Sequence, residues 1–272
     1  MKDLLAYILR EREGDLLPWS VQLAASREFE VPFAVVEDLA LANNILPSRY
    51  QRNGSMLTVH HQRRLFRSVV GVVGCGGLGG YVLEELARLG IGKIVAIDPD
   101  IFVEHNLNRQ LMSHPGNLGQ SKVSAVQARL QQINPAVTVI PVQQALDAGN
   151  GWHLLGGVDL AVDGLDSVGT RLELEAVCKD LEIPLIHGAI AGWYGQVCSI
   201  FPGDDILRKV YCNPEQEKGV ETTLGNPSFT PAVVASLQVA EVCKVLLNQG
   251  VPLREKVLVA DLHEMDFALV PW

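Results

Sequence analysis

The feature that most constrains this chain is a glycine-rich turn between an apolar β-branched run and an amphipathic stretch. Residues 69–73 lead into Gly74-Cys75-Gly76-Gly77-Leu78-Gly79, and the spacing that follows predicts a helix over 78–89. Glycines permit a tight turn and close approach of backbone to a ligand, and the start of the helix offers unpaired N–H groups and positive partial charge to an anion. A second apolar run, 93–97, ends at Asp98, nineteen residues past Gly79, where a carboxylate can accept hydrogen bonds from ribose hydroxyls. Strand, helix, strand in this order implies parallel pairing through a right-handed crossover. A nucleotide site is expected, and the residues that follow decide between a dinucleotide and ATP.

The same texture continues down the chain. Runs at 137–142, 160–162, 185–186, 195–201 and 256–260 predict strands, and 121–133, 171–181 and 231–247 predict helices. The expected fold is α/β: a doubly wound, Rossmann-like, mostly parallel sheet with antiparallel strands added late. Residues 1–48 differ, with helical stripes of Leu4, Leu5, Ile8 and Leu9 and of Val35, Val36, Leu39, Ala40 and Ala42, interrupted by Pro18 and Pro32. A small N-terminal helical extension of two or three helices is expected there, followed by one nucleotide-binding domain over 49–272.

Composition excludes several classes. No apolar run is seen to reach the roughly 18 residues of a membrane span, and the N-terminus mixes charges with its apolar residues instead of showing a signal-peptide form; a cytoplasmic location is expected. The five cysteines form no C-x-x-C pair, which argues for reduced thiols and against a structural zinc site. A formal net charge of −9 lacks the basic surfeit that phosphate-backbone binding needs, so nucleic acid is a disfavoured partner.

Beyond the second strand the residues depart from a dehydrogenase. The acidic pair Asp98 and Asp100 is followed by Asn106, Asn108, Arg109 and Gln110, and Lys122 stands at a helix start in Gly119-Gln120-Ser121-Lys122. An Arg and a Lys converging on one loop–helix junction suit a triphosphate, the first as a planar fork and the second as a point charge. Asp166, in Asp163-Gly164-Leu165-Asp166-Ser167, lies just past a buried strand end, where a magnesium ligand facing phosphates would stand.

Taken in order, G-C-G-G-L-G, I-D-P-D, N-L-N-R-Q, G-Q-S-K and D-G-L-D-S resemble the ThiF/MoeB/HesA group, the bacterial relatives of ubiquitin-activating enzymes, over residues 49–272. Arg49-Tyr50-Gln51-Arg52 fits the Arg-Tyr-x-Arg element that this group carries ahead of the first strand. The resemblance implies an ATP-using adenylyltransferase that activates a carboxylate as an acyl-adenylate. It assigns Gly74, Gly76, Gly77 and Gly79 to the nucleotide cradle, Asp98 to the ribose with Asp100 beside it, and Asn106, Arg109, Gln110 and Lys122 to the phosphates. Asp166 would hold Mg²⁺, and Arg52 would reach the ATP of a neighbouring subunit, which implies a homodimer. The implied partner is a small ubiquitin-like sulfur-carrier protein of the MoaD/ThiS kind with a Gly-Gly tail. Its thiocarboxylate would feed molybdenum- or tungsten-cofactor, thiamine or related sulfur metabolism.

The chain also departs from the group. Many relatives clamp zinc with two C-x-x-C pairs, whereas 207–214 contains only Cys212 and the C-terminal region has no pair, so no zinc is expected. Thr223 stands at or close to the usual loop cysteine, and adenylation is expected without an obligatory enzyme thioester, Cys212 being the one nearby thiol. His60 and His61 are expected on a solvated helix face, His187 in a structural hydrogen bond, and Trp193 and Tyr194 as turn aromatics packed on the core. Two other enzyme readings stay open, adenylation of a modified-tRNA or peptide carboxylate and a dinucleotide-dependent oxidoreductase. So does a non-catalytic subunit, although Arg52, Arg109, Lys122 and Asp166 together are more than an inactive partner needs.

Overall fold

The apolar runs after Ser68 pair into one sheet, because neighbouring strands supply both the backbone partners and the burial that each needs. The computed structural model describes residues 1–211 and 221–271. The N-terminal part comprises α1 (Lys2–Glu11), β1 (Leu16–Leu17), α2 (Trp19–Glu28), α3 (Phe33–Ala42), β2 (Leu46–Pro47), a 3-10 segment (Ser48–Met56) and α4 (Val59–Arg67). The chain continues through β3 (Val69–Val73), α5 (Gly77–Leu89), β4 (Lys93–Ile97), α6 (Lys122–Ile133), β5 (Thr138–Val142), α7 (Gly151–Leu154), β6 (Leu160–Asp163), α8 (Val168–Asp180) and β7 (Leu185–Ala191). It ends with β8 (Tyr194–Ile200), α9 (Leu207–Val210), α10 (Glu221–Leu224), α11 (Phe229–Leu247), β9 (Lys256–Asp261) and β10 (Asp266–Pro271).

The main sheet has eight strands in the order β10-β9-β8-β7-β6-β3-β4-β5. Strands β5, β4, β3, β6 and β7 run parallel, and β8, β9 and β10 are added antiparallel. Alternate residues face opposite layers, as the period of two requires. Val70, Val72, Ile94 and Ala96 share a core with α5, α6 and α11, whereas Val73, Val95 and Ile97 pack with Leu174 and Val177 of α8. From β3 the chain goes to β4 and β5 on one side and returns to β6 on the other. The loops after β3 and β6 therefore diverge, leaving a crevice at the C-terminal edge of the sheet.

Two expectations are corrected. By length and composition α11 is long and apolar enough to cross a membrane, with mean hydropathy 1.5, so a span-length apolar segment does exist. Here it is a core helix: it packs on α5, β7 and β8, and its buried polar side chains bond to the sheet, Gln238 Nε2 donating to the Asp163 carbonyl and Glu241 accepting from Ser199. Secondly, β7 runs on to Ala191, and β10 extends the sheet as a hairpin partner of β9 with all six residues exposed. Its Phe-Ala-Leu-Val sequence has no polar alternation to mark it as a half-covered strand.

Helices α1–α3 enclose their own core of Leu4, Ile8, Leu17, Ala25, Val36, Ala40 and Ile45. The short parallel pairing of Leu16 with Leu46 closes it. A buried polar junction ties this unit to the sheet domain. The Tyr50 hydroxyl donates to Glu37 Oε1 at 2.6 Å and accepts from Asn134 Nδ2 at 2.8 Å. Arg49 donates to Gln22 and Asn134 and stacks 5.2 Å over Trp19. Burial pushes both the Glu37 carboxyl and the Tyr50 phenol above their ordinary values.

Candidate active site

The turn between β3 and α5 is shaped by backbone contacts that exclude side chains. Gly74 has φ of 92°, and a Cβ on it would lie 2.5 Å from the Gly164 carbonyl oxygen; a Cβ on Gly79 would lie 1.7 Å from the Gly74 carbonyl oxygen. Strand end and helix start are therefore in backbone contact, and the loop after β6 is pressed against both. Gly76 caps α5 with no side-chain bond, and Gly76 and Gly77 are partly open to solvent. The first-turn N–H groups stand at the mouth of the crevice, as an anion site requires.

Asp98 organises this turn. It is 5% exposed. Its Oδ2 accepts from the Cys75 N–H at 2.7 Å and its Oδ1 from the Asp100 N–H at 2.8 Å. Lys122, 7% exposed at the start of α6, has its Nζ 3.6 Å from Asp98 Oδ1 and 2.9 Å from Asp100 Oδ2. A 3-10 turn carries the other cationic group. Buried Asn106 closes it by accepting from the Val103 N–H at 3.0 Å. Arg109 then lies 3.8 Å from where a Cβ on Gly77 would be, and Gln110 3.5 Å from the equivalent point on Gly76. The Gln110 Oε1 is buried and accepts no hydrogen bond among the described residues. Asn108 donates to the Asn226 carbonyl at 3.1 Å, which joins this turn to the segment ahead of α11.

Asp166 is exposed, two residues beyond the Gly164 that touches Gly74. Arg109 thus lies against the glycine turn, Lys122 of α6 is joined to it through Asp98, and the loop that carries Asp166 meets it at Gly164. Arg52 is not brought there within the chain. It is exposed on the 3-10 segment, where the Tyr50 hydroxyl lies 2.3 Å from where a Cβ on Gly90 would be, at the far end of α5. That is about 20 Å from the turn by the rise per helical residue. Sequence patterns missed buried Asp163 and Arg171 and partly buried Tyr211 beside the site; His187, expected in a structural hydrogen bond, makes one to Asp163 at 2.7 Å. Asp163 ends an apolar strand and looks like its terminator, whereas the others come from elements far apart in the chain.

The expected cysteine position, Thr223, is exposed on α10 close to Gly225, whose carbonyl accepts from Gly192 at 2.7 Å. Cys212 lies outside the described residues. Cys75, Cys178 and Cys198 are buried, and burial pushes their thiols up; Cys243 is pushed up to about 11. None of these four is a ready thiolate nucleophile. Trp193 and Tyr194 are each 46% exposed, Trp193 packing on Phe229 at 4.5 Å, so neither is buried in the core. His61 serves the capping box of α4 with Thr58.

The profile of the ThiF family matches residues 49–271. The SAMP-activating enzyme E1 of Haloferax volcanii is 34% identical over 228 residues, covering 82% of this chain and 84% of that protein. The sulfur carrier protein adenylyltransferase of Thermus thermophilus is 35% identical over 215 residues, covering 76% of this chain and 79% of that protein. A crystal structure of E. coli MccB with MccA superposes with a TM-score of 0.70 at 21% identity, over 92% of this chain and 82% of that one, a likeness of fold. With a family match running the length of the sheet domain and relatives sharing a third of their residues with it, the chain belongs to the ThiF family of adenylyltransferases.

Proposed function

We propose that this chain activates the C-terminal carboxylate of a small ubiquitin-like sulfur-carrier protein with a Gly-Gly tail, using MgATP and releasing pyrophosphate. The names of the two relatives support the carrier. The observation that carries the chemistry is the backbone contact of Gly164 with Gly74, which sets the Asp166 loop against a glycine turn flanked by Arg109 and, through Asp98, by Lys122. In this reading Gly74, Gly76, Gly77 and Gly79 admit the nucleotide, Asp98 accepts from the ribose with the lone pairs its backbone bonds leave over, and Asn106 and Gln110 shape the phosphate pocket. Arg109 and Lys122 supply fixed positive charge where negative charge develops as the carboxylate attacks the α-phosphorus and pyrophosphate leaves. The phosphates compete with exposed Asp100 for the Lys122 ammonium.

Magnesium, when bound, screens the phosphate oxygens and stabilises the departing pyrophosphate. Asp166 suits it, because Mg²⁺ ordinarily takes one or two carboxylates and completes its shell with phosphate oxygens and water. Among the described residues no group of three or more His, Cys, Asp or Glu forms a cage of its own. The nucleophile is the carrier's carboxylate, so the chain need supply none, and a separate sulfur donor turns the adenylate into a thiocarboxylate. Arg52, remote from its own turn, acts on the partner's ATP in a homodimer.

ATP–pyrophosphate exchange with candidate carriers, and with tRNA as the competing substrate, tests this. Exchange is expected only with a carrier whose Gly-Gly tail is intact. Arg109→Ala, Lys122→Ala or Asp166→Ala should each lower it by roughly 10²–10³-fold, the range for loss of one transition-state charge partner. Thr223→Ala should stay near wild type. Exchange driven by tRNA and by no carrier overturns the proposal.

A further inference from the structure

Strand β6 ends on Asp163, a fully buried aspartate that the adenylation chemistry does not use. A buried carboxylate is costly unless paired and hydrogen-bonded, so its partners indicate its purpose. Its Oδ1 accepts from the Leu165 N–H at 2.8 Å. Its Oδ2 lies 2.7 Å from His187 Nδ1 and 3.3 Å from Arg171 Nε. Arg171 in turn donates through Nη2 to the Leu165 carbonyl at 2.6 Å and through Nη1 to the Tyr211 hydroxyl at 2.9 Å. Because the carboxylate only accepts, His187 Nδ1 is the donor in that contact, and Nε2 faces the opposite way. The Gln196 amide at 3.3 Å and the Tyr211 hydroxyl at 3.4 Å face it. Asp163, Arg171, Tyr211 and His187 close a ring drawn from β6, α8, the residue after α9, and β7.

The ring has one consequence for the backbone. Both polar groups of Leu165 are held by charged side chains, the N–H by Asp163 and the carbonyl by Arg171. Gly164, before it, is fixed by its N–H to the Val73 carbonyl at 2.8 Å, and Ser167, two residues on, caps α8 by accepting from Thr170. Asp166 is the exposed residue between these fixed points. Filling a core would not require the two successive peptide groups that flank partly buried Leu165 both to be clamped; aiming the next side chain does. We propose that Asp163, Arg171 and His187 are positioning residues that hold the Asp166 carboxylate in the orientation needed for the magnesium of the bound nucleotide. This rests on the adenylation reading above. Partners of this kind, one step removed from the metal, commonly contribute 10–100-fold to its affinity.

The test is Mn²⁺ binding by the full chain with a non-hydrolysable ATP analogue, followed by the EPR signal of free Mn²⁺, alongside nucleotide binding in EDTA. His187→Ala is expected to weaken Mn²⁺ binding roughly 10-fold while metal-free nucleotide binding stays at the wild-type level. His187→Asn, whose amide can donate to Asp163 from the place of Nδ1, should recover most of that affinity. His187→Gln, whose amide reaches the place of Nε2, should not. Should His187→Ala fail to fold, Arg171→Lys carries the test, since it keeps the charge beside Asp163 but lacks the fork that also reaches Leu165; the same loss of Mn²⁺ affinity is expected. A folded variant of either kind with wild-type Mn²⁺ affinity overturns the proposal, whatever its melting temperature. If wild-type protein shows no exchange with any carrier, the adenylation reading fails, yet Mn²⁺ binding still decides the positioning claim.

Discussion

Glu37 stands fully buried where the N-terminal helices meet the sheet domain, and burial holds its carboxyl above the ordinary value of 4.5 against the opposing effects of Arg49 and Tyr50. A carboxyl whose folded value is raised binds its proton more readily folded than unfolded. Its contribution to stability is therefore fully present below the unfolded value and is lost as pH rises through the folded one. Glu37→Gln, which removes this titration while leaving an acceptor for Tyr50, should gain on wild type in urea unfolding between pH 4 and pH 7.5. An unchanged difference at the two pH values would refute the assignment. At this scale the legible residues were those in a recognisable local pattern: Asp98 past a strand, Arg109 and Lys122 near a helix start, Asp166 after a buried run. Asp163 carries the same carboxyl three residues earlier, but only His187 and Arg171, from β7 and α8, mark it as more than a strand terminator. Arg49, in the motif with Arg52, turned out to be committed to Gln22, Asn134 and Trp19.

The turn between β3 and α5 is the element on which the site depends, because its geometry is set by carbonyl oxygens that cannot move without breaking the strand. Gly79→Ala would place a methyl 1.7 Å from the Gly74 oxygen. Backbone displacement is the only relief, and overpacking of this kind costs about 1–3 kcal/mol. The expected outcome is a lowered melting temperature together with loss of ATP binding by calorimetry; a variant that binds ATP normally would show that the close contact is not required. The strands β3, β4, β5 and β6 were legible because each is a short β-branched run bounded by breakers. Strand β10 was not, since pairing with β9 defines it more than any alternation of its own. Helix α11 shows the converse: its composition passes for a membrane span, and only its contacts with α5, β7 and β8 make it a core helix.

Across the whole molecule, Arg52 and the glycine turn lie at opposite ends of α5, and a shared site is the arrangement that would use both. In a two-fold dimer of this kind, co-refolding Arg52→Ala with Lys122→Ala gives mixed dimers with one intact site, so exchange should recover to about a quarter of wild type. No recovery, with a monomeric elution profile, would remove the shared site. The chain's own residues dictated the βαβ order, the glycine turn and the acid and cations spaced behind it, because these follow from periodicity and from the few residue types that can hold a nucleotide. Tertiary structure decided the rest. It set the Asp166 loop against the glycine turn through Gly164, gave Asp163 its partners, and bound the N-terminal helices to the sheet through Glu37, Tyr50 and Asn134. Those contacts join residues from distant parts of the chain, and a one-dimensional pattern carries no distance between them until the sheet brings its strand ends to one edge.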